Sequence, residues 1–265
     1  MIKKIISLIL TMCILFTSVT VLADTSGDLT YTVSGGKITI TDCNTTSQKV
    51  EIPTEINSVP VKYIGNNAFQ GCTTITEVVL PDGIERINLS AFSGCTSLTS
   101  INIPATVVNI GSGAFANCRS LEEITIPDSV VQIGPSLFTG CSMLNKVELS
   151  SNIKIIQSGT FSGCQSLTEL FIPKSVTSIS AAAFMNCGIS LVRYEGSEED
   201  WNKITIATDR NNTLINATKI YNSSVPFGTC GDSLTYEISA ENVLTVSGSG
   251  DMWQWDNPED VPWHS

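Results

Sequence analysis

Histidine is almost absent from the sequence: His264 is the single one among 265 residues. These residues therefore supply neither a histidine-based hydrolytic triad nor the usual zinc ligands. A Gly-x-Ser-x-Gly nucleophile elbow, a phosphate-binding loop and the spaced aspartates of a calcium loop are also missing. Adjacent carboxylates such as Glu122 and Glu123 do not form an acid–base pair, because neighbouring strand side chains point to opposite faces. We therefore predict a protein that is not an enzyme and has no catalytic residue, no metal site and no cofactor.

Basic residues are scarce as well. The sequence has 14 Lys and Arg against 25 Asp and Glu, which gives a formal net charge of −11. Nucleic acids and anionic membranes are themselves negative and repel such a chain. We expect no nucleic-acid partner, and basic or neutral partners stay open.

Long apolar runs are limited to one, Ile5–Phe16. It follows Lys3 and Lys4 and precedes a small-residue cleavage site ending at Ala23, which is typical of a signal peptide. A retained membrane anchor is the alternative, but the run is shorter than the ~20 residues that span a bilayer. We expect cleavage near Ala23, a secreted or cell-surface location and no membrane insertion after cleavage. Loss of two lysines would take the formal charge from −11 to −13.

The sequence does contain a repeat of 23 residues. Six cysteines lie 23 residues apart: Cys72, Cys95, Cys118, Cys141, Cys164 and Cys187. A phenylalanine lies three residues before each of them: Phe69, Phe92, Phe115, Phe138, Phe161 and Phe184. A fixed period of this length predicts a solenoid, in which each unit buries its apolar side chains against its neighbours.

The unit from Leu98 to Cys118 shows the expected turn. Ile101 and Ile103 alternate with polar residues and predict a short strand whose apolar side chains face inward. Pro104 ends that strand, because proline has no amide hydrogen for the ladder. Phe115 and Cys118 have helical spacing, so the return path is predicted to be one short helical turn. Stacked units would form a parallel sheet and an α/β solenoid.

The nine cysteines of the sequence allow two interpretations. In an exported chain they would ordinarily form disulfides. Because six of them repeat in phase, we predict that these six point into the core as reduced, buried thiols. Disulfides between adjacent turns are the alternative. Cys43 and Cys230 lie outside the repeat, and nothing in the sequence pairs them.

The repeated pattern Leu-x-x-Ile-x-Ile-Pro-x-x-Val-x-x-Ile-Gly-x-x-Ala-Phe-x-x-Cys, as it stands from Leu98 to Cys118, resembles the BspA-type leucine-rich repeat of bacterial surface and secreted proteins. The resemblance covers roughly residues 50–222. It implies a right-handed leucine-rich-repeat superhelix with a parallel β-sheet on its concave face. It also implies adhesion or binding of extracellular partners.

Five segments are predicted along the chain. Residues 1–23 form the signal peptide, 24–49 an N-terminal capping β-hairpin around Gly35-Gly36, 50–190 the repeat array, 191–222 a C-terminal cap, and 223–265 the start of a second, incomplete β-rich module. The last of these rests on a likeness between Gly231–Ser239 and Gly27–Ser34. Trp253, Trp255 and Trp263 in that module are interpreted as core residues, with a carbohydrate-stacking site as the alternative.

The outward strand positions are the candidate binding residues, because curved solenoids offer an extended concave face to partners. They are Glu51, Glu77, Val79, Ser100, Asn102, Glu123, Thr125, Lys146, Glu148, Glu169, Phe171, Arg193 and Glu195. Glutamates outnumber bases there, and Phe171 is expected to be the one large exposed apolar group. A solvated surface with no binding role is the alternative interpretation.

We therefore expect a monomeric, non-catalytic binding protein whose partner is an extracellular protein or glycan. Two alternatives stay open. The chain could be the targeting arm of a larger secreted enzyme, or a structural spacer of the cell envelope.

Overall fold

The 23-residue units fold into successive turns of a β-solenoid of about eight turns. The computed structural model describes residues 24–223 and the backbone of three later strands, 228–231, 234–238 and 244–248. The expected signal peptide (1–23) and Trp253, Trp255 and Trp263 lie outside the described residues. Each turn contributes one strand to each of two parallel layers that enclose a shared apolar interior.

The first layer consists of the strands that the alternating pattern predicts. Inward residues such as Ile124 and Val147 are buried, and the residues on either side of them face outward. Pairing is parallel within three groups, β4-β7-β9, β11-β13 and β15-β17-β19. The strands are β4 (Lys49–Glu51), β7 (Glu77–Val79), β9 (Ser100–Ile101), β11 (Glu123–Thr125), β13 (Lys146–Glu148), β15 (Glu169–Ile172), β17 (Leu191–Tyr194) and β19 (Thr218–Ile220).

The second layer was not predicted; the sequence indicated only apolar contacts around a bend. The isoleucine that ends each Val-x-x-Ile motif forms a short strand together with the residue before it. These strands pair in parallel in two groups, β6-β8-β10-β12 and β14-β16-β18. The strands are β6 (Val59–Ile64), β8 (Arg86–Ile87), β10 (Asn109–Ile110), β12 (Gln132–Ile133), β14 (Ile155–Ile156), β16 (Ser178–Ile179) and β18 (Thr205–Ile206). A further short strand, β5 (Glu55–Ile56), pairs antiparallel with β6 in the longer first unit.

The predicted helical return path is wrong: it is a run of turns, and residues 24–197, all described, contain no α-helix. Hydrogen bonds such as Ala116 N to Gly113 O (3.0 Å) and Cys118 N to Phe115 O (3.2 Å) each close one turn. Gly113 (φ 58°) and Asn117 (φ 60°) are left-handed, which ends any helix after a few residues. The repeat is therefore a β-solenoid with parallel sheets, joined by turns in place of short helices.

The interior is built from columns of identical side chains. Neighbouring phenylalanine rings stack with centroids 4.9–5.9 Å apart. The seven cysteines whose side chains the structure describes are free thiols, all buried except the half-buried Cys72, which confirms the prediction of reduced core residues for five of the six repeat cysteines. Each central thiol donates to the phenylalanine carbonyl of the preceding turn, as Cys118 Sγ does to Phe92 O (3.1 Å). Burial raises the pKa of these thiols, to about 12 for Cys95 and Cys141.

A three-stranded antiparallel meander precedes the first turn. It consists of β1 (Asp24–Ser26), β2 (Leu29–Ser34) and β3 (Lys37–Cys43), with the predicted Gly35-Gly36 turn between β2 and β3. β3 pairs in parallel with β6 of the second layer. The expected cover over the first strand of the other layer, β4, is not found among the described residues.

The chain after the last full unit contains two short helices, α1 (Glu198–Trp201) and α2 (Asn212–Asn216). Trp201 is buried and packs edge-on against Tyr194, with ring centroids 5.3 Å apart. Farther along, β20 (Gly228–Gly231), β21 (Leu234–Ile238) and β22 (Leu244–Gly248) form a second antiparallel meander. Its backbone repeats the strand order of the first meander.

Candidate binding surface

The outward residues of the first layer stand in two columns, which together we call the first-layer face. Register fixes the columns, since Glu123 lies opposite Lys146 and Thr125 opposite Glu148. The first column is Lys49, Glu77, Ser100, Glu123, Lys146, Glu169 and Leu191; the second is Glu51, Val79, Asn102, Thr125, Glu148, Phe171 and Arg193. Twelve of the thirteen predicted binding residues therefore occupy these columns, Arg193 among them as a buried side chain, and Glu195 lies outside them.

Ion pairs run across the strands of the face. Lys49 Nζ lies 3.0 Å from Glu51 and 3.2 Å from Glu77, and these contacts, the one with Glu51 first, raise the pKa of Lys49. Lys146 Nζ lies 3.6 Å from Glu148 and 4.0 Å from Glu123. Exposed pairs of this kind add little to stability. The face is therefore a solvated acidic surface on which each lysine is shared by two glutamates.

Arg193 does not belong to the exposed surface predicted for it. Only 6% of it is accessible, and its guanidinium is bonded to the Glu169 carboxylate. The unit after Cys187 is one residue short, so Arg193 pairs with Phe171, while Glu195 falls beyond the end of β17. The Glu195 carboxylate instead accepts a hydrogen bond from Lys174 N (2.7 Å).

Phe171 is half-buried, which corrects the expectation of a large exposed apolar group on this face. It lies in a cleft of about 370 Å³ where the strands of the first layer end. The cleft also contains two prolines and three carboxylates, and none of its lining residues is basic. We call it the acidic cleft. Its lining includes Pro127, Asp128, Glu148, Phe171, Pro173 and Glu195.

The carboxylates of the acidic cleft are held in position by hydrogen bonds. Asp128 accepts from Ser151 N (2.7 Å), and Glu148 accepts from the Thr125 hydroxyl (3.0 Å). With Glu195 held by the Lys174 amide, each acid is fixed by a neighbouring turn. The three carboxylates therefore line the same cleft as the aromatic ring and the two prolines.

Asn102 uses its amide for the solenoid itself. Its Nδ2 donates to Leu80 O and its Oδ1 accepts from Leu80 N, both at 2.8 Å. The side chain thus replaces backbone bonds between adjacent turns. Beyond it, pairing in the first layer is interrupted between β9 and β11, where a second cleft of about 420 Å³ lies.

Sequence reasoning missed two groups of surface residues. One is Asp128 with Pro127 and Pro173 in the acidic cleft; the Pro-Asp pair after the strand was the available signal. The other is a set of exposed apolar side chains on the second layer, Val108, Val131 and Ile155. Because the second layer was not predicted, these side chains could not be assigned to a surface.

In the described part of the chain, no cluster of three or more His, Cys, Asp or Glu side chains is arranged to bind a metal ion. None of the described helices combines the length and the apolar character needed to cross a bilayer.

Comparison with known proteins identifies the repeat. The BspA-type leucine-rich-repeat region matches residues 62–190 in six copies. A leucine-rich-repeat protein of T. pallidum is 30% identical with a TM-score of 0.61, over 64% of this chain and 81% of that one. The chain belongs to the BspA-type leucine-rich-repeat family. Leucine-rich-repeat arrays of this family are protein-binding scaffolds.

Two further crystal structures are similar to this chain. The pneumococcal vaccine antigen PcpA is 22% identical with a TM-score of 0.54, over 65% of this chain and 50% of that one. A leucine-rich-repeat protein of Bacteroides ovatus is also 22% identical, with a TM-score of 0.48, over 75% of this chain and 70% of that one. At this identity PcpA shows only that the leucine-rich-repeat fold is shared. A search of curated proteins finds no match to the chain.

Proposed function

We propose that this chain is an exported, non-catalytic binding protein that holds a basic segment of an extracellular protein on its first-layer face, centred on the acidic cleft. The family resemblance implies that this face is the concave side of the array. The observation that supports the proposal most directly is that Asp128, Glu148 and Glu195 line one cleft together with Phe171, and that no lining residue is basic.

The chemistry of the acidic cleft fits the side chain of lysine or arginine. Carboxylates at its rim attract the charged end, and a cation near an aromatic face gains further stabilisation. Phe171 and the prolines offer apolar contact to the methylene stem, which such side chains bury while their charge stays solvated. Surface ion pairs steer association and confer specificity more than they add affinity. We therefore expect fast, salt-sensitive binding.

A protein ligand is favoured over a glycan. Carbohydrate recognition relies on exposed aromatic faces, and Phe171, the one aromatic side chain of the first-layer face, is half-buried. The acidic columns on both sides of the cleft also match a basic polypeptide better than a neutral sugar. Export is supported by the signal-peptide pattern of residues 1–23 and by the surface and secreted proteins that share this repeat.

The experiment is a binding screen of the full chain against an array of extracellular-matrix proteins and glycans. The strongest binder is then measured with the double variant Glu123→Lys/Glu148→Lys. We expect a basic protein as the binder and loss of its binding with an unchanged thermal unfolding midpoint.

The matched control is Glu55→Lys/Glu198→Lys, which changes the net charge equally at two exposed positions away from the face. It should bind within a factor of about two of the parent, since distant surface charges act only through screened fields. If both double variants lost binding equally, the loss would be explained by the change in net charge alone. A glycan as the strongest binder, or an empty screen, would contradict the proposal.

A further inference from the structure

The outer edge of β4 is a strand edge without a partner strand among the described residues. β4 begins the group β4-β7-β9, whereas the N-terminal meander joins the second layer through β3 and β6. Among the described residues, the first layer therefore starts with an open edge. Open edges are templates for the addition of another strand.

The hydrogen bonds to β7 show which backbone groups of β4 face this edge. Gln48 O accepts from Glu77 N (3.1 Å), and Ile52 N donates to Val79 O (3.0 Å). Successive residues of a strand direct their amide and carbonyl groups to opposite sides, so Gln48, Val50 and Ile52 serve β7. The amides and carbonyls of Lys49 and Glu51 point outward. Two donors and two acceptors with strand spacing fit an extended chain.

A groove of about 360 Å³ runs beside these groups. Its floor is apolar, formed by the buried residues Leu29, Cys43 and Val50. Gly27 and Asp28, in the turn between β1 and β2, also line it. An added strand would thus place alternate side chains on this floor and on the first-layer face.

Charge at the groove favours a cation. Asp28 and Glu51 both line it, and its one basic lining residue, Lys49, is already shared between Glu51 and Glu77. We propose that the outer edge of β4 binds an extended segment of a partner protein as an added strand, with a lysine or arginine side chain beside Asp28 and Glu51. This site is separate from the acidic cleft and does not depend on the function proposed for it.

The experiment uses peptides as probes. A library of displayed random decapeptides is selected on the full chain, and the winners are synthesised. We expect them to be rich in β-branched residues with a lysine or arginine. On binding they should protect the Lys49 and Glu51 amides from hydrogen exchange, whereas these two amides exchange rapidly in the free chain.

Two variants separate the backbone from the charge. Glu51→Pro removes an outward amide and leaves the backbone groups that bond to β7. It should weaken the affinity of the selected peptides by at least about tenfold. Glu51→Ala keeps the amide and should weaken them by a few-fold only. Equal binding to the parent and Glu51→Pro would overturn the proposal.

Three other results would also overturn it. The first is a selection that yields no binding peptide. The second is protection of the Lys49 and Glu51 amides in the free monomer, which would mean that the chain itself covers the edge. The third is concentration-dependent dimerisation through β4 in sedimentation, which would mean that a second copy occupies the edge. Binding lost in Glu123→Lys/Glu148→Lys but kept in Glu51→Pro would assign the peptides to the acidic cleft.

Discussion

The two strand layers share one interior, but they differ in strand length and in how they begin. First-layer strands have two to four residues, whereas every second-layer strand after β6 has two. The second layer starts against the N-terminal meander, and the first starts with the outer edge of β4, which has no partner strand in the described part of the chain. The inward columns depend only on the 23-residue period, while the ends depend on segments outside the repeat.

The outer faces of the layers differ as well. The first-layer face has acidic side chains with lysines shared between them, and the second layer exposes Val108, Val131 and Ile155. A period constrains the buried positions of every turn but leaves the outward ones free to vary. Binding specificity is therefore a property of the outward positions, and stability is a property of the columns.

The largest expected effect comes from removing one interior side chain of either layer. Ile110 of β10 and Ile124 of β11 are both buried, at 0% and 4% exposure. Ile110→Ala and Ile124→Ala should each lower the free energy of unfolding by about 2–5 kcal/mol, because each leaves a cavity in a packed core. Urea unfolding followed by circular dichroism measures both.

Val108→Ala is the control for the second layer. Because Val108 is exposed, this change should alter the free energy of unfolding by about 0.5 kcal/mol or less. Ile110→Ala could prove as small in its effect on the free energy of unfolding as this control, while Ile124→Ala is strongly destabilising. The second layer would then be a loop that contributes little to the core.

The sequence predicts the interior well for a physical reason. A side chain such as Phe115 stacks on identical neighbours at 5.6 and 5.9 Å, so its position repeats with the period. Two-residue strands such as Asn109–Ile110 carry no alternation, which is why the second layer was missed. The return path was misread because Phe115 and Cys118 have helical spacing. The Asn117 before Cys118, matched by glycine or asparagine in every unit, signals a left-handed residue.

The binding face was harder to predict than the core. Its register after Cys187 depends on a one-residue deletion, which moved Arg193 into a buried pair with Glu169 and Glu195 out of the strand. The acidic cleft joins side chains from several turns, and no single unit contains its pattern. The pairing of the meander with β6 rather than β4 follows from tertiary contacts that leave no local signal.

A smaller effect should come from the spacing of the second layer. A Cβ on Gly134 would overlap backbone atoms of Ser112, so the turns approach closely after β12. Gln157 occupies the equivalent position one turn later, where β12 and β14 are not paired. Gly134→Ala should lower the free energy of unfolding by about 1–3 kcal/mol through overpacking, and Gln157→Ala should leave it nearly unchanged. Thermal unfolding compares the two, and equal effects would contradict the close approach.

The smallest effect concerns the contact by which the second layer holds the meander. Glu85 accepts from Lys37 Nζ (3.0 Å) and from the Tyr63 hydroxyl (3.3 Å), and the bond from Lys37 in particular lowers the pKa of Glu85. A lowered carboxyl pKa favours folding when the group is ionised. The stabilisation is therefore complete above the ordinary value of 4.5 and is lost as the pH falls through the lowered one.

Glu85→Gln should therefore reduce the hydrogen-exchange protection of β3 amides such as Ile40 by a few-fold at pH 7, since an exposed ion pair adds little. The parent and the variant should converge as the pH falls from 4.5 to below the lowered pKa of Glu85. Glu77→Gln makes the same chemical change beside β4 and should leave β3 protection unchanged, because the meander does not contact that layer through Glu77. Equal loosening of β3 by both variants would mean that the meander is held by general surface charge and not by its pairing with the second layer.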